Sequence, residues 1–523
     1  MNKILFTLCF YKIYCPNLHS ETKNGLTNFK FKDKIMSYFH FLGHPMNLRR
    51  CLSFLVVCVF TFFLALVPTS FYGVNPETLE PIFTLTQQRV IAIFVFTAMM
   101  WILEVIPTWT TSVVAIVAIL LTTSNKGLGF LMMKDNIGEM TNYKSIMAAF
   151  ADPVIMLFLG GFVLAFAATK VGLDVQLAKV MLKPFGNKPK TVLLGVLLVI
   201  GIFSMFMSNT ATAAMMLTFL TPVLMTLPAD GGGRISFALA IPIAANLGGI
   251  GTPIGTPPNA IALGALQEAG YNITFVGWMI RMVPYVIVML LIAWFLLTKM
   301  FPFKAKTIEL KIEGAPVKVT PFQKYVVWFT FALTIILWVF EGVIGVNSNI
   351  VAMIPFAVFS ATGILKARDL EHINWAVLWM VAGGFALGTA LNQTGLATTL
   401  INTIPFASWN ALVVMIVGGF ICYFLSNFIS NSAAANLVVP ILIVVGKALA
   451  GTPSFEALGG IPSMIAGIAI CASVAMCLPV STPPNALAAS TGMITTKQMA
   501  TMGIILGVVG IVLGYLMLIF IGF

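Results

Sequence analysis

The sequence predicts an all-α membrane protein that crosses the bilayer many times and consists of two related halves. Hydrophobic residues make up 59% of the 523 residues and charged residues only 9%, against about 25% charged residues in soluble domains. Cores of ordinary domain size could not hide that much apolar surface. Apolar runs of the length that a spanning helix needs, about 17 to 25 residues, lie at 51–67, 191–207 and 504–523. The third observation is an internal repeat.

Three motifs recur in the same order and at nearly the same offset. A Gly-Gly-Phe segment, a Ser-Asn segment and a Thr-Pro-Pro-Asn segment occur at 159–173, 208–224 and 256–263, and again at 382–396, 430–445 and 482–489. Chance similarity between apolar stretches would not keep three such motifs in register. We therefore predict an N-terminal tail over 1–50, a first helix with the first repeat over 51–300, and a second repeat over 301–523.

The net charge of +12 is explained by where the basic residues lie. They collect between apolar runs, at 30–50, 183–190 and 299–324, whereas 68–88 has two glutamates and no Lys or Arg. The positive-inside rule predicts that the basic segments and the N-terminus are cytoplasmic. Basic juxtamembrane segments also attract anionic lipid, so the charge requires no nucleic-acid partner.

The N-terminal residues do not share the pattern of long apolar runs found in the rest of the chain. Its first 15 residues resemble a secretory signal, but no small-residue cleavage site follows. We predict a cytoplasmic tail, with translation from Met46 as an alternative.

The two Thr-Pro-Pro-Asn segments interrupt apolar sequence at corresponding positions of the two halves. Proline removes a backbone donor and clashes with the preceding turn, so Pro257-Pro258 and Pro483-Pro484 are predicted to end helices inside the membrane. Broken backbone is tolerated there only where protein or a watery cavity satisfies its polar groups. The freed carbonyl groups can coordinate a hard cation, and N–H groups at helix starts can hold an anion. Paired interruptions of this kind favour a secondary transporter.

Other classes of protein find less support. The four histidines lie in the tail or in a loop, the seven cysteines show no C-x-x-C spacing, and no G-x-x-x-x-G-K-[ST] loop occurs. These patterns argue against an enzyme, a transition-metal centre and an ATP-driven pump. An anion channel stays open as an alternative, because pores also use broken helices and carbonyl oxygens.

The repeated Gly-Gly-Phe, Ser-Asn-Thr or Ser-Asn-Ser, and Thr-Pro-Pro-Asn-Ala motifs resemble the divalent anion:sodium symporter family, from about residue 85 to the C-terminus. The resemblance implies two inverted repeats, about eleven transmembrane helices and two re-entrant hairpins, which we place at the Gly-Gly-Phe segments. It also implies a homodimer with scaffold and transport domains that move elevator-fashion, and sodium as coupling ion without other cofactors.

Carried over residue by residue, the resemblance implies a set of ligands. The substrate contacts are Ser208, Asn209, Thr210, Thr256, Pro257, Ser430, Asn431, Ser432, Thr482 and Pro483. The first sodium site is Ser204, Ser208, Asn209 and the backbone of Gly255. The second is Ser426, the backbone of Ile429, Asn431 and Ser481. Ser426 and Ser432 stand where the family often has Thr, which keeps the hydroxyl but alters the shape of the pocket.

The charge in these clusters predicts coupling to a cation. Neither cluster contains Lys or Arg, yet a dianion in a low-dielectric site needs compensating charge. Helix dipoles supply about +0.5 each, and bound sodium would supply the rest. Glu104 and Glu341 occupy matching positions, and we expect a structural or interface role for them, with a proton relay as the alternative.

The predicted function is symport of C4-dicarboxylates such as succinate, malate and fumarate with sodium, in the plasma membrane (the inner membrane of a bacterium). Two opposed Ser-Asn motifs suit a short dicarboxylate whose ends engage the two halves. A dicarboxylate/2-oxoglutarate exchanger, or a sulfate or citrate symporter on the same fold, is the alternative. No enzymatic activity is expected.

Overall fold

The fold is a bundle of helices, seen in a computed structural model that describes residues 39–41, 44–46, 48–133, 135–228, 232–308 and 319–523. Predictions for the first 38 residues and for the basic segment 309–318 lie outside the described residues. The strands β1 (Phe39–Phe41) and β2 (His44–Met46) pair antiparallel ahead of the first helix.

The helices follow one another in both halves through short connections. The first half contains α1 Leu48–Leu66, α2 Leu85–Leu103, α3 Thr108–Thr122, α4 Gly129–Met132, α5 Tyr143–Ala148, α6 Pro153–Lys170, α7 Leu173–Leu182, α8 Pro189–Phe206, α9 Asn209–Thr226, α10 Gly232–Gly249, α11 Pro257–Glu268 and α12 Phe275–Met300. The second half contains α13 Pro321–Val339, α14 Glu341–Ile344, α15 Ser348–Val351, α16 Met353–Ala361, α17 Trp375–Gln393, α18 Leu396–Thr403, α19 Ala411–Phe428, α20 Asn431–Leu449, α21 Pro453–Glu456, α22 Gly460–Ser473, α23 Pro483–Ser490 and α24 Thr496–Ile521.

The helical composition confirms the predicted all-α multi-pass class. Within the described residues, nine helices are long and apolar enough to cross a membrane, and five shorter ones of 10–17 residues are also apolar. The count of about eleven spans and the elevator division into two domains stay predictions.

The helix-turn-helix pairs form at the Ser-Asn motifs, not at the Gly-Gly-Phe segments. The helices α8 and α9 are separated by two residues that include Ser208, and α19 and α20 by two that include Ser430. Our placement of hairpins at the Gly-Gly-Phe segments was wrong, because both lie inside the continuous helices α6 and α17. A side chain at Gly160 would overlap the backbone of Ala352, and one at Gly383 would overlap Ser112. These glycines allow close helix packing and do not interrupt their helices.

The broken segments also differ from the prediction in one respect. The proline pairs begin α11 and α23 and do not end the preceding helices, which stop earlier, at Gly249 and Ser473. Proline suits the first helical position because its missing N–H has no intrahelical partner there. Each break is therefore a non-helical stretch between two half-helices, 250–256 in the first half and 474–482 in the second.

An asparagine secures the first break. Asn259 is fully buried, and its Nδ2 donates to three carbonyl oxygens at 3.0, 3.2 and 2.7 Å, those of Gly249, Ile250 and Thr252. In the second half, Asn485 Nδ2 donates to two carbonyl oxygens of its own break, at 2.8 and 3.0 Å. Thus the asparagine of each Thr-Pro-Pro-Asn motif satisfies the carbonyl groups that the interruption frees.

The two glutamates have different surroundings. Glu341 is buried, and its carboxylate accepts backbone N–H groups of Phe275 at 3.0 Å and Ser348 at 3.1 Å. These contacts give Glu341 the structural role that we expected. Glu104 is partly exposed and ends α2 in a left-handed conformation with φ 44°.

Candidate functional site

A cavity of about 240 Å³ lies where four helices begin, two from each half. All ten residues predicted to contact substrate line it. The cavity also contains polar residues that the sequence reasoning missed: Thr108, Asn246 and Asn374. Thr108 begins α3 and Asn374 is the N-cap of α17, both outside the repeated motifs, and Asn246 lies within an apolar helix, so no sequence signal marked them.

The cavity is surrounded by helix N-termini. Ser208, Thr256, Ser430 and Thr482 are the N-caps of α9, α11, α20 and α23. Helix N-termini carry unpaired N–H groups and a partial positive charge of about +0.5. Among the described residues that line the cavity there is no Lys, Arg, Asp or Glu. The protein therefore offers an anion only partial charges and hydrogen-bond donors.

The two serine N-caps are set up as donors. Ser208 Oγ accepts the Ala211 N–H and Ser430 Oγ accepts the Ala433 N–H, both at 3.2 Å. Because each hydroxyl oxygen already accepts a bond, its proton is available to a ligand in the cavity. These contacts occupy corresponding positions in the two halves.

An oxygen-rich cluster lies beside the first Ser-Asn turn. Ser204 Oγ donates to the Ala245 carbonyl oxygen at 2.6 Å and lies 2.8 Å from one end of the Asn209 side-chain amide. The same end of the Asn209 amide lies 3.1 Å from the carbonyl oxygens of Gly255 and Ala245. If that end is nitrogen, its two protons are shared among these three neighbours. If it is oxygen, four oxygens converge with only the Ser204 proton among them, and oxygen atoms are the ligands that a hard cation prefers.

The second half repeats this arrangement in part. Ser426 Oγ lies 2.8 Å from the Ala472 carbonyl oxygen and 2.9 Å from Asn431 Oδ1, and its single proton is shared between these two acceptors. Ser481, which is predicted for the same sodium site, instead forms hydrogen bonds with neighbouring backbone groups. Its hydroxyl donates to the Asn427 carbonyl oxygen at 2.8 Å and accepts the Leu478 N–H at 3.0 Å.

The structure therefore brings Ser204, Asn209 and Gly255 together in the first half, and Ser426 and Asn431 in the second. Ile429 lies in the turn between α19 and α20 and is buried. The carbonyl groups of Ala245 and Ala472 were missed, since a backbone oxygen of an alanine leaves no trace in sequence.

The two ends of the cavity are not equivalent. Thr210 is exposed, whereas its counterpart Ser432 is only 7% exposed. The smaller serine thus lies on the closed side of the cavity, and the threonine on the open side.

Comparisons with known proteins all identify transporters. A model of the citrate transporter family matches residues 98–459. An uncharacterized transporter of Haemophilus influenzae is 32% identical over 81% of this chain and 89% of its own. The sodium-dependent dicarboxylate transporter SdcS of Staphylococcus saprophyticus is 28% identical over 81% of this chain and 84% of its own. The crystal structure of the YdaH transporter of Alcanivorax borkumensis has the same fold, with a TM-score of 0.53 at 12% identity, covering 91% of this chain and 99% of that one.

Proposed function

The chain belongs to the citrate transporter family and is similar to sodium-dependent dicarboxylate transporters, and we propose that it carries C4-dicarboxylates such as succinate, malate and fumarate with sodium ions. The protein is a multi-pass membrane transporter and not an enzyme. The observation that supports the dicarboxylate is the cavity itself. Two Ser-Asn turns and two Thr-Pro-Pro turns, one pair from each half, offer donors to both ends of a short dianion.

The substrate residues act through hydroxyl, amide and backbone N–H donors. The hydroxyl groups of Ser208 and Ser430 are oriented by the N–H bonds that they accept, so each can donate to a carboxylate oxygen. Thr256 and Thr482 cap the other two half-helices. Asn209, Thr210 and Pro257 in the first half, and Asn431, Ser432 and Pro483 in the second, complete the proposed contacts.

Sodium supplies the positive charge that the cavity lacks. Ser204, Asn209 and Gly255, with Ser208 and the added carbonyl group of Ala245, would hold the first ion. Ser426 and Asn431, with Ile429, Ser481 and the Ala472 carbonyl group, would hold the second. The oxygen donors present in both clusters fit a hard cation. Because Asn209 and Asn431 face both the ion and the anion, binding of either favours binding of the other.

We further propose an orientation and an assembly. Asn374, an exposed residue that lines the cavity, follows a loop that contains Lys366 and Arg368, and the positive-inside rule assigns loops with Lys and Arg to the cytoplasm. The cavity then opens to the cytoplasm, as one end state of an elevator movement. The N-terminus would also be cytoplasmic, in a homodimer in the plasma membrane, which is the inner membrane of a bacterium.

The test is uptake of labelled succinate into proteoliposomes with an inward sodium gradient, and with potassium in place of sodium. We expect saturable uptake that requires sodium. Asn209→Ala and Asn431→Ala each remove a hydrogen bond or ion ligand worth about 1.5–3 kcal/mol, so the half-saturating sodium concentration should rise at least about tenfold. The exposed Asn402 in α18 gives the matched control, since Asn402→Ala should change nothing.

Other outcomes would identify other mechanisms. Uptake that ignores sodium but requires internal dicarboxylate would show an exchanger. Sodium-dependent uptake of labelled sulfate or citrate, with no saturable uptake of labelled succinate, would show a different substrate on the same fold. Flux without saturation would indicate an anion channel and would refute the symport proposal.

A further inference from the structure

The side chain of Asn246 joins the two halves at the edge of the cavity. Asn246 lies in α10 and is fully buried. Its Nδ2 donates to Thr482 Oγ1 at 3.1 Å and to Asn485 Oδ1 at 3.2 Å. Both acceptors belong to the Thr-Pro-Pro-Asn motif of the other half, and both Asn246 and Thr482 line the cavity.

The hydrogen-bond network fixes which way the Asn246 amide points. Asn485 uses its Nδ2 to donate to the Met476 and Leu478 carbonyl oxygens, so its Oδ1 is the atom that faces Asn246. Only the nitrogen of Asn246 can bond to that oxygen. The Oδ1 of Asn246 is then left buried, with no hydrogen-bond partner among the described residues.

The same network fixes the hydroxyl group of Thr482. Its Oγ1 accepts Asn246 Nδ2 at 3.1 Å and the Asn485 backbone N–H at 3.3 Å. With both lone pairs occupied, the hydroxyl can only donate its proton elsewhere. The corresponding Thr256 makes no capping hydrogen bond through its side chain, so its hydroxyl is not fixed in this way. Thr482 thus offers a fixed donor, and Asn246, which lines the same cavity, has an acceptor that lacks a partner.

We propose that Asn246 selects dicarboxylates that carry a hydroxyl group next to one carboxylate. The carboxylate accepts from the fixed hydroxyl of Thr482, and the neighbouring hydroxyl of the substrate donates to Asn246 Oδ1. An unsubstituted dicarboxylate is ionised at neutral pH and brings no donor, so it forgoes the hydrogen bond that a 2-hydroxy dicarboxylate gains at this oxygen. This inference rests on the proposed function and narrows it to 2-hydroxy dicarboxylates.

The first test uses the unmodified protein and three unlabelled competitors of labelled succinate uptake: malate, 2-fluorosuccinate and succinate. Fluorine is close to hydroxyl in size but donates no hydrogen bond. We expect malate to compete at a concentration at least about tenfold lower than either of the others, a difference of about 1.4 kcal/mol. If 2-fluorosuccinate or succinate competes as well as malate, the inference is wrong.

The second test separates Asn246 from buried asparagines in general. Asn246→Ala removes the acceptor and should reduce the advantage of malate to within about twofold of succinate. Asn436 is the matched control, because it is equally buried and its Oδ1 is also without a partner, but it does not line this cavity. Asn436→Ala should keep the full advantage of malate. An advantage that survives in Asn246→Ala would overturn the inference.

Failure of this inference can be told apart from failure of the proposed function. If none of the three anions shows sodium-dependent uptake or competition, the dicarboxylate symport proposal fails. If all are transported with equal affinity, only the role of Asn246 fails. Should Asn246→Ala not fold, the comparison of malate with 2-fluorosuccinate on the unmodified protein decides the question.

Discussion

The asparagine of the first Thr-Pro-Pro-Asn motif should be essential for the interrupted helix, and Asn259→Leu tests this. Leucine has a similar shape but no donor, so the change removes all three hydrogen bonds from Nδ2 to the carbonyl oxygens of the 249–252 stretch. The carbonyl oxygens of Ile250 and Thr252 keep a second donor, Trp278 Nε1 at 2.9 Å and the Gly255 N–H at 3.3 Å, so each of these two losses costs about 1 kcal/mol net. The Gly249 carbonyl group loses its Asn259 partner, and a buried carbonyl group left unpaired costs about 1–3 kcal/mol. We expect a loss of about 3–5 kcal/mol in the free energy of unfolding.

The assay is thermal unfolding of the purified protein in detergent, together with the sodium dependence of uptake. The entropy of unfolding is about 2.1 cal/mol/K per residue, so 1 kcal/mol shifts the Tm of a chain of 523 residues by about 1 °C, and Asn259→Leu should lower Tm by about 3–5 °C. The half-saturating sodium concentration should rise as well, because the same break contains Gly255 of the proposed first sodium site. Asn402→Leu, at an exposed position, serves as control.

A second variant distinguishes lost hydrogen bonds from altered packing. Asn259→Asp keeps the shape but turns a donor into a carboxylate facing three carbonyl oxygens, so it should be at least as damaging as leucine. If either variant keeps the Tm and sodium dependence of the unmodified protein, the carbonyl groups of the break do not depend on Asn259, and our account of the motif is incorrect.

Three further predictions concern the scaffold around the site. Glu341→Gln leaves one of two backbone N–H groups without an acceptor, so thermal unfolding should show a loss of about 1–3 kcal/mol, while a changed pH profile of uptake would instead reveal a proton relay. Burial disfavours ionisation of Asp369, but hydrogen bonds from the lysine that ends α6 and from a backbone N–H outweigh it and hold the pKa of Asp369 below its usual 3.8. The stabilisation is therefore present above 3.8 and lost as pH falls through the lowered pKa, so the Tm deficit of Asp369→Asn should be constant from about pH 8 to about pH 5 and begin to shrink only below about pH 4. Gly160→Ala places a methyl group against the backbone of Ala352 and should destabilise by about 1–3 kcal/mol, whereas Gly129→Ala, with open space around it, should leave Tm unchanged.

The sequence by itself determined the class of the fold, the repeat and most of the residues around the cavity. Charges and polar groups are costly in lipid, so the few that occur inside apolar runs mark positions with a structural or functional role. Ser-Asn and Thr-Pro-Pro-Asn each recur in the second half, and the ten substrate residues that the family resemblance places in these motifs line one cavity. The interruptions themselves follow from local chemistry, because proline and glycine restrict or free the backbone wherever they occur.

Only the tertiary structure decided what each interruption does. Gly-Gly-Phe was expected to turn the chain, but its glycines lie in straight helices and make room for Ala352 and Ser112, residues far away in sequence. The carbonyl groups of Ala245 and Ala472 have no side-chain signature, and Asn246 resembles any other polar residue in a helix. Their roles depend on which helices pack together. Helix packing is a contact between distant segments, and the spacing of residues along one segment does not specify it.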